Sequence, residues 1–214
     1  VDMGTGNLTG LAQIVAEELG IRVEDVIVSD TDTDVAPYDV VTHASRSTYV
    51  AGAAAKTAAS NAKRVMLNMA AKLLEVSPED LEVSDRTISV KGAPFRHVTV
   101  AELARTAQMR QWGTIMGESS QRATMCPPHF TVKFVEVEVD METGEVRVEK
   151  VVAGADVGRP IDPSRVEGQL HGGMLQGIGY ALMENIYIDP NSGRPLNLDY
   201  LNYKILTSRD SPRE

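Results

Sequence analysis

The sequence predicts an α+β fold in which long packed helices accompany mixed or antiparallel sheets. Residues 47–76 are rich in alanine, the residue with the highest helix propensity, which predicts one long helix. Residues 130–140 and 145–154 each alternate apolar and polar side chains on either side of a turn that ends in Gly144, which predicts a hairpin. Residues 164–185 place apolar side chains at four-residue spacing, which predicts a further helix.

Local patterns predict the elements at the start of the chain. Residues 8–19 put their apolar side chains on one helical stripe, and Gly20 stands where a C-capping glycine belongs. Residues 23–29 form a short strand-like stretch. Gly52 is the expected weak spot of the long helix, because glycine in a helix interior costs about 1 kcal/mol relative to alanine.

The middle of the chain predicts a small hairpin and a short helix. The hairpin joins residues 81–83 to residues 87–90. The helix covers residues 99–109, and Thr99 with Glu102 three residues later has the spacing of a capping box.

Two segments show no regular period. Residues 111–128 contain two glycines, two serines and two prolines, and we expect either a long excursion over the surface or a segment ordered only by a partner. The tail from Ile186 is predicted to be extended and rich in turns.

Composition limits the classes of function. The chain has 214 residues, of which 43% are hydrophobic, enough to bury a substantial core as one domain or as two lobes at about 1–128 and 129–214. Its net charge of -9 argues against a nucleic-acid partner and favours a protein or small-molecule partner. The single cysteine excludes an internal disulfide, and no apolar stretch approaches the roughly 20 residues that span a bilayer. We expect a cytoplasmic protein without a membrane or nucleic-acid partner.

Two helix starts are rich in hydrogen-bond donors. The first is the glycine-rich run Met3-Gly4-Thr5-Gly6, and the second is Ala44-Ser45-Arg46-Ser47-Thr48. The first turn of a helix has unsatisfied backbone N–H groups and a partial positive charge, and glycine lets the backbone approach a phosphate closely. Arg46 and the neighbouring hydroxyls add further donors. The sequence therefore predicts one polyanion held between the two helix starts.

Structural explanations of both helix starts stay open. The first run also fits a glycine turn that leads into a helix, and Ser45 or Ser47 also fits a simple N-cap. Neither the phosphate loop of nucleoside triphosphatases nor the glycine fingerprint of dinucleotide-binding folds is present in the sequence.

Other polar clusters predict no catalytic and no metal-binding residue. Residues 30–34 begin like a calcium loop, but Val35 and Val41 stand where that loop needs glycine and glutamate, so we expect a solvated loop. Cys126 and His129 flank two prolines and have no identifiable orienting group, which argues against a nucleophile and base. The four histidines show no metal-ligand spacing.

The order and spacing of the motifs resemble those of one enzyme family over nearly the whole chain. The N-terminal motifs are Met3-Gly4-Thr5-Gly6, residues 13–21 and Ala44-Ser45-Arg46-Ser47-Thr48-Tyr49; the C-terminal ones are Gly154-Ala155-Asp156-Val157-Gly158 and Leu175-Gln176-Gly177-Ile178-Gly179. Together they resemble the molybdenum-binding subunit of the xanthine dehydrogenase and aldehyde oxidase family. The Asp-Thr-Asp run at 30–32 and the Ser-Arg pair look most like the hydroxybenzoyl-coenzyme A reductase branch.

The resemblance implies that residues 1–214 are a fragment of a molybdopterin-binding domain. Its cofactor is molybdopterin, often as the cytosine dinucleotide, with molybdenum. One departure stands in the first motif, where Thr5 replaces the glutamine of many relatives. Carried over position by position, the cofactor-binding residues are Met3, Gly4, Thr5, Ala44, Ser45, Arg46, Ser47, Thr48 and Gln169.

The resemblance also implies partners and a reaction class. The intact enzyme is an oxidoreductase that acts on an aldehyde, an N-heterocycle or an aromatic acyl-coenzyme A. It joins the remainder of the molybdenum subunit to iron–sulfur and flavin (FAD) domains or subunits. The family's general-base glutamate lies in a Gly-x-Gly-Glu motif that Glu214 does not match, so we expect the isolated chain to be inactive. The alternative is a non-catalytic module that binds an anion or nucleotide, or that scaffolds a partner.

Overall fold

The computed structural model describes residues 2–29, 32–34, 36–125 and 127–212. The chain divides into two compact units, Val1–Cys126 and Pro127–Glu214. The first unit combines several helices with an antiparallel sheet, and the second combines one helix with an antiparallel hairpin, which confirms the predicted α+β class. Within the described ranges, none of the helices has the length and apolar character needed to cross a membrane.

Two helices pack together at the start of the first unit. Helix α1 covers Asn7–Leu19, and Gly20 caps it in a left-handed conformation with φ 71°, as predicted. The predicted long helix begins as a π-helical turn, Ser47–Ala51, and continues as α2, Gly52–Leu74. Gly52 lies at the junction, where an added Cβ would be 3.0 Å from Ile14 Cδ1 of α1. The glycine therefore permits the close approach of the two helices.

A three-stranded antiparallel sheet and a short helix follow. The strands β1 (Leu81–Ser84), β2 (Thr87–Val90) and β3 (Ala93–Thr99) lie in that order. Helix α3 covers Val100–Met109, and its predicted capping box is confirmed. The Thr99 N–H donates to Glu102 Oε2 at 3.0 Å, and the Glu102 N–H donates to Thr99 Oγ1 at 3.2 Å.

The strand predicted at residues 23–29 is wrong. The chain forms a short 3-10 turn at Val23–Asp25 and has no regular structure in its described residues up to Ser29. The cause is local: the Arg22 N–H donates to Asp25 Oδ2 at 3.2 Å, and the Asp25 N–H donates to the Arg22 carbonyl at 3.0 Å. A side chain that binds its own neighbouring backbone competes in this way with sheet formation.

The core of the first unit lies between α2, the sheet and α3. Ile88 of β2 and Leu103 of α3 are completely buried and pack with residues of α2 such as Met66 and Met69. Burial of side chains of this size is the main favourable contribution to folding.

Residues 111–125, which we call the strap, run along α2 without regular structure. An added Cβ at Gly117 would be only 2.0 Å from the Ala58 carbonyl oxygen of α2. Asn61 Nδ2 donates to the Glu118 carbonyl at 3.1 Å, and Ile115 packs against the core. Of the two predicted possibilities, an excursion over the surface describes the strap.

The second unit is built from a hairpin, a helix and an irregular tail. Strands β4 (Phe130–Val139) and β5 (Val146–Asp156) pair as predicted, and Gly144 takes a φ of 77° in their turn. Helix α4 covers Pro163–Leu182 and ends three residues before the predicted boundary. The buried Asn197 fixes the tail, because its amide accepts from the Tyr187 N–H at 3.0 Å and donates to a carbonyl of the same segment.

Candidate functional site

The starts of α1 and of the π-helical turn lie around one cavity in the first unit. The cavity has a volume of about 100 Å³. Its polar lining comes from Asn7 on α1, from Ser47 and Thr48 on the π-helical turn, and from the loop residues Asp39 and Thr42. The structure therefore brings together the two helix starts that the sequence singled out.

The loop that leads into α1 wraps around the carboxylate of Asp2. Oδ1 accepts the N–H groups of Gly4 at 2.9 Å and Gly6 at 3.2 Å, and Oδ2 accepts the N–H of Leu8 at 3.3 Å. Desolvation raises the pKa of Asp2, but these N–H donations, with one from Thr5, outweigh it and hold the pKa below its ordinary value. The sequence predicted unsatisfied N–H groups at this helix start, whereas the structure has three of them bound to Asp2.

Thr5 contributes a buried hydroxyl to the same loop. Its Oγ1 has no hydrogen-bond partner among the described residues, and the same holds for Gln13 Oε1 on α1. Met3 is 66% exposed, and no described atom lies within 4 Å of the position of an added Cβ at Gly4. The loop thus combines an unused buried hydroxyl with open space beside Gly4.

The loop before the π-helical turn adopts a costly backbone conformation. Val41, Ala44 and Ser45 have φ values of 61°, 50° and 54°. Each non-glycine residue in this left-handed region costs about 1–3 kcal/mol, and such residues cluster at binding and catalytic sites. The N-cap position belongs to Arg46, whose side chain makes no cap hydrogen bond to the described backbone. The structure therefore lacks the simple N-cap by Ser45 or Ser47 that the sequence left open at this described helix start.

Arg46 is the cation beside the cavity. Its Nη1 donates to the Val41 carbonyl at 3.3 Å and lies 3.9 Å from Asp39 Oδ1. The Arg46 side chain is 20% exposed, whereas that of Asp39 is 59% exposed. A half-buried guanidinium with hydroxyl groups on the adjacent helical turn is a donor set for an anion.

Gln169 belongs to the second unit and lies on an exposed part of α4. No described atom lies within 4 Å of an added Cβ at Gly168, Gly172 or Gly173, so this part of the helix is uncovered within its unit. Gln176 Nε2 donates to Tyr180 Oη at 3.2 Å one turn further along. The structure gives Gln169 an accessible position without defining what it contacts.

Several residues of the sequence analysis lie outside the described ranges. They are Cys126 of the rejected nucleophile pair, and Asp30, Thr31 and Val35 of the acidic loop. In the ranges that are described, no three histidine, aspartate or glutamate side chains are grouped as metal ligands.

Sequence reasoning did not identify Asp2 or Asp39 as parts of the site. The signal for Asp2 was present, because an aspartate two residues before a glycine commonly accepts a hydrogen bond from that glycine's N–H. No local pattern marks Asp39, since its place beside Arg46 depends on the left-handed turn at Val41.

Comparison with known proteins gives consistent matches over the whole chain. A model of the molybdopterin cofactor-binding domain matches residues 1–212. The xanthine dehydrogenase molybdenum-binding subunit of Escherichia coli O157:H7 is 36% identical over 99% of this chain and 29% of its own length. The carbon monoxide dehydrogenase large chain of Afipia carboxidovorans is 33% identical over 98% of this chain and 26% of its own length.

The fold also matches that of a solved structure. Reconstituted CO dehydrogenase from Oligotropha carboxidovorans superimposes with a TM-score of 0.89 and 32% identity. The match covers 100% of this chain and 27% of that one. The chain thus spans between a quarter and a third of the length of these relatives.

Proposed function

The chain belongs to the molybdopterin cofactor-binding domain family, within the molybdenum-binding subunits of xanthine dehydrogenase and aldehyde oxidase type, and we propose that it supplies part of the cofactor site of a longer oxidoreductase. The observation that carries this proposal is the cavity between the two helix starts, with Arg46 beside it. The cofactor's phosphate is the group that this cavity's surroundings suit best.

The residues around the cavity fit an anionic cofactor. Arg46 supplies a guanidinium, and Ser47 and Thr48 supply hydroxyl groups that line the cavity. The buried Oγ1 of Thr5 is a further donor that no described residue uses. Asp39 also lines the cavity, and its carboxylate lies 3.9 Å from Arg46 Nη1, so Asp39 competes with an anion for this guanidinium.

We assign the contacts in two groups. In the first, Met3, Gly4 and Thr5 approach the pterin or the metal ligands, because the open space beside Gly4 admits a close neighbour. In the second, the segment from Ala44 to Thr48 binds the pterin and its phosphates. Gln169 hydrogen-bonds the pterin through its amide. When bound, a molybdenum cofactor supplies the redox chemistry that amino-acid side chains lack.

The whole protein is proposed to be a molybdenum hydroxylase. Its substrate is an aldehyde, an N-heterocycle or an aromatic acyl-coenzyme A, and the hydroxybenzoyl-coenzyme A reductase branch stays a prediction. Its partners are the remainder of the molybdenum subunit and the iron–sulfur and FAD domains or subunits. We place it in the cytoplasm, without a membrane or nucleic-acid partner. The described residues bind and orient the cofactor, and the acid–base chemistry belongs to the remainder of the subunit.

The alternative, a non-catalytic anion-binding or scaffolding module, is less favoured. The family match extends from residue 1 to residue 212, so it includes both helix starts and α4 rather than one anion-binding turn. A module of this kind would bind simple phosphates in the 214-residue chain alone, with an affinity that falls when Arg46 is removed.

The direct test of the proposal measures the cofactor itself. The protein is isolated from its native cells with an antibody to this segment, and molybdenum and pterin are quantified per polypeptide. Nearly one molybdenum and one pterin per chain are expected. A protein that contains neither would contradict the proposal.

A further inference from the structure

The second unit has almost no buried core of its own. Among its described residues, 127–212, only Gly179 and Asn197 are buried, whereas the buried apolar side chains of the described chain all lie in the first unit. Burial of apolar side chains is the main favourable contribution to folding, and a two-stranded hairpin by itself is at best marginally stable in water. The β4–β5 hairpin therefore depends on protein packed against its faces.

One face of this hairpin divides into an apolar half and a charged half. Alternate residues of a strand point to the same face, and residues directly opposite in the register share it. The half next to the start of β4 carries four apolar side chains, which we call the hairpin patch: Phe130, Val132, Phe134 and Val152. The half next to the turn carries four charged side chains: Glu136, Glu138, Arg147 and Lys150. Asp156, opposite Phe130, borders the patch at its other end.

The hairpin patch is uncovered in the structure. Phe130 and Phe134 are 71% and 67% exposed, and Val132 and Val152 are about half exposed. The opposite face differs, because its β5 residues are all partly buried: Val146, Val148, Val151, Ala153 and Ala155. Contiguous apolar surface of this kind, bordered by charged residues, marks a site of protein–protein contact.

We infer that the remainder of the molybdenum subunit packs on the hairpin patch, through an apolar surface of the same polypeptide outside residues 1–214. This inference rests on the proposed function, in which these residues are one part of a longer subunit. The length of the relatives supports this occupant, since the whole chain superimposes on only 27% of the solved CO dehydrogenase chain. The charges at both ends of the patch confine the contact to the half of the face next to the start of β4, because burial of an unpaired charge is costly.

The test uses the full-length protein, with the photoreactive amino acid p-benzoylphenylalanine in place of Phe134. Irradiation joins this side chain to the polypeptide that contacts it, and mass spectrometry identifies the joined peptide. The same replacement of Phe95 is the matched control, because Phe95 is an 80% exposed phenylalanine on β3 of the first unit.

We expect position 134 to join to a peptide outside residues 1–214, with no change in the mass of the polypeptide on a denaturing gel. Position 95 is expected to give little product. A product that joins two polypeptides, whether a second copy or another subunit, would overturn the inference. A crosslink confined to residues 1–214 would overturn it as well.

A second measurement needs no substitution. Hydroxyl radicals oxidise phenylalanine side chains that solvent reaches, and the side chains at the centre of an interface are nearly fully buried, so unfolding the full-length protein in urea should speed the oxidation of Phe130 and Phe134 by about fivefold or more. The oxidation of Phe95 should change little. Equal oxidation of Phe134 in the folded and unfolded protein would overturn the inference, even where the photoreactive variant fails to fold.

These measurements separate the inference from the proposed function. A full complement of molybdenum and pterin in a protein with an unprotected Phe134 would overturn the docking surface and leave the cofactor assignment standing. A protein that contains neither molybdenum nor pterin, but in which position 134 joins to the rest of its polypeptide, would contradict the proposed function and leave the docking surface standing.

Discussion

The guanidinium of Arg22 binds the carboxylate of Asp85 through two hydrogen bonds, of 2.6 Å from Nε to Oδ1 and 3.0 Å from Nη2 to Oδ2. Arg86 binds Asp25 in the same two-point manner, with both distances at 2.6 Å. Both pairs connect the 3-10 turn after α1 to the turn that joins β1 to β2. The Arg86 N–H also donates to the Gly20 carbonyl at 3.1 Å. These contacts fasten the end of α1 to the hairpin.

This junction predicts a loss of stability in acid. The hydrogen bonds from Arg86 hold the pKa of Asp25 below its ordinary value, and those from Arg22 do the same for Asp85. A carboxylate with a lowered pKa stabilises the folded state above its unfolded pKa, and the contribution is lost as the pH falls through the folded pKa. The double variant Asp25→Asn/Asp85→Asn is therefore expected to melt at a lower temperature than the unaltered chain at neutral pH.

The difference in melting temperature shrinks as the pH falls below about 4, the ordinary pKa of an aspartate. Thermal unfolding followed by circular dichroism over a pH series measures it. Glu82→Gln is the control for the loss of an exposed carboxylate on β1. A difference that stays constant from neutral to strongly acid solution would mean that these ion pairs do not carry the effect.

Gly20 is predicted to be intolerant of any side chain. Its φ is 71°, and an added Cβ would lie 2.6 Å from the Val83 carbonyl oxygen. Gly20→Ala therefore combines left-handed strain with a backbone clash, at a cost of about 2 kcal/mol or more. Gly92 has a similar φ of 76°, but no described atom lies within 4 Å of its added Cβ. Denaturant unfolding should show Gly92→Ala to be the milder change; equal losses would argue that the clash with Val83 is relieved.

Gly117→Ala is expected to detach the strap from α2. The new Cβ would meet the backbone of Ala58 and Ala62, at 2.0 Å and 2.5 Å, and backbone inside a helix cannot yield. Limited proteolysis should cut the strap faster, while the core of the first unit remains protected. Ser120→Ala is the control in the same segment, because Ser120 is exposed and its side chain can be shortened without a clash. Equal cleavage of both variants would show that Gly117 does not hold the strap.

Val41→Gly is predicted to be tolerated, because Val41 has a left-handed backbone conformation that favours glycine. Val41 is β-branched and has a φ of 61°, a conformation that glycine adopts without strain. The relief of about 1–2 kcal/mol offsets the greater flexibility of glycine in the unfolded chain. The same change at the neighbouring Val40, which lies outside the left-handed region, should lower the melting temperature. If Val41→Gly destabilises the chain as much as Val40→Gly does, the left-handed backbone at Val41 costs the folded state no measurable free energy.

Much of the fold could be predicted because its elements carry strong local signals. Helix α1 shows a clear apolar stripe and a capping glycine, and the β4–β5 hairpin alternates over both strands. Strand β3 was missed, because Pro94 interrupts the sequence pattern of a strand. The proline is tolerated because β3 is an edge strand that pairs on one side only, with β2. The 3-10 turn at Val23–Asp25 was predicted as a strand. The Asp25 carboxylate accepts a hydrogen bond from the Arg22 N–H, and this local bond outweighs the strand propensity of Val23.

The site could be predicted in part for a similar reason. Glycines and hydroxyl residues before a helix mark both helix starts in the sequence, and the structure brings these starts together at one cavity. The carboxylate of Asp39 beside Arg46 could not be predicted from the sequence. Asp39 reaches Arg46 through a loop whose left-handed residues, Val41 and Ala44, are not glycines. Gln169 stays a prediction, since its assignment depends on the resemblance alone.

The most direct test of the central claim compares cofactor content with and without Arg46. The full-length protein is purified as the unaltered form, as Arg46→Ala and as Arg105→Ala, and molybdenum and pterin are quantified per polypeptide. Arg105 is an exposed arginine on α3 and serves as the control for the loss of one guanidinium. The account predicts that Arg46→Ala loses most of both, because a buried phosphate loses a charged hydrogen bond, while Arg105→Ala keeps them. A folded Arg46→Ala protein with a full complement of molybdenum and pterin would contradict the claim.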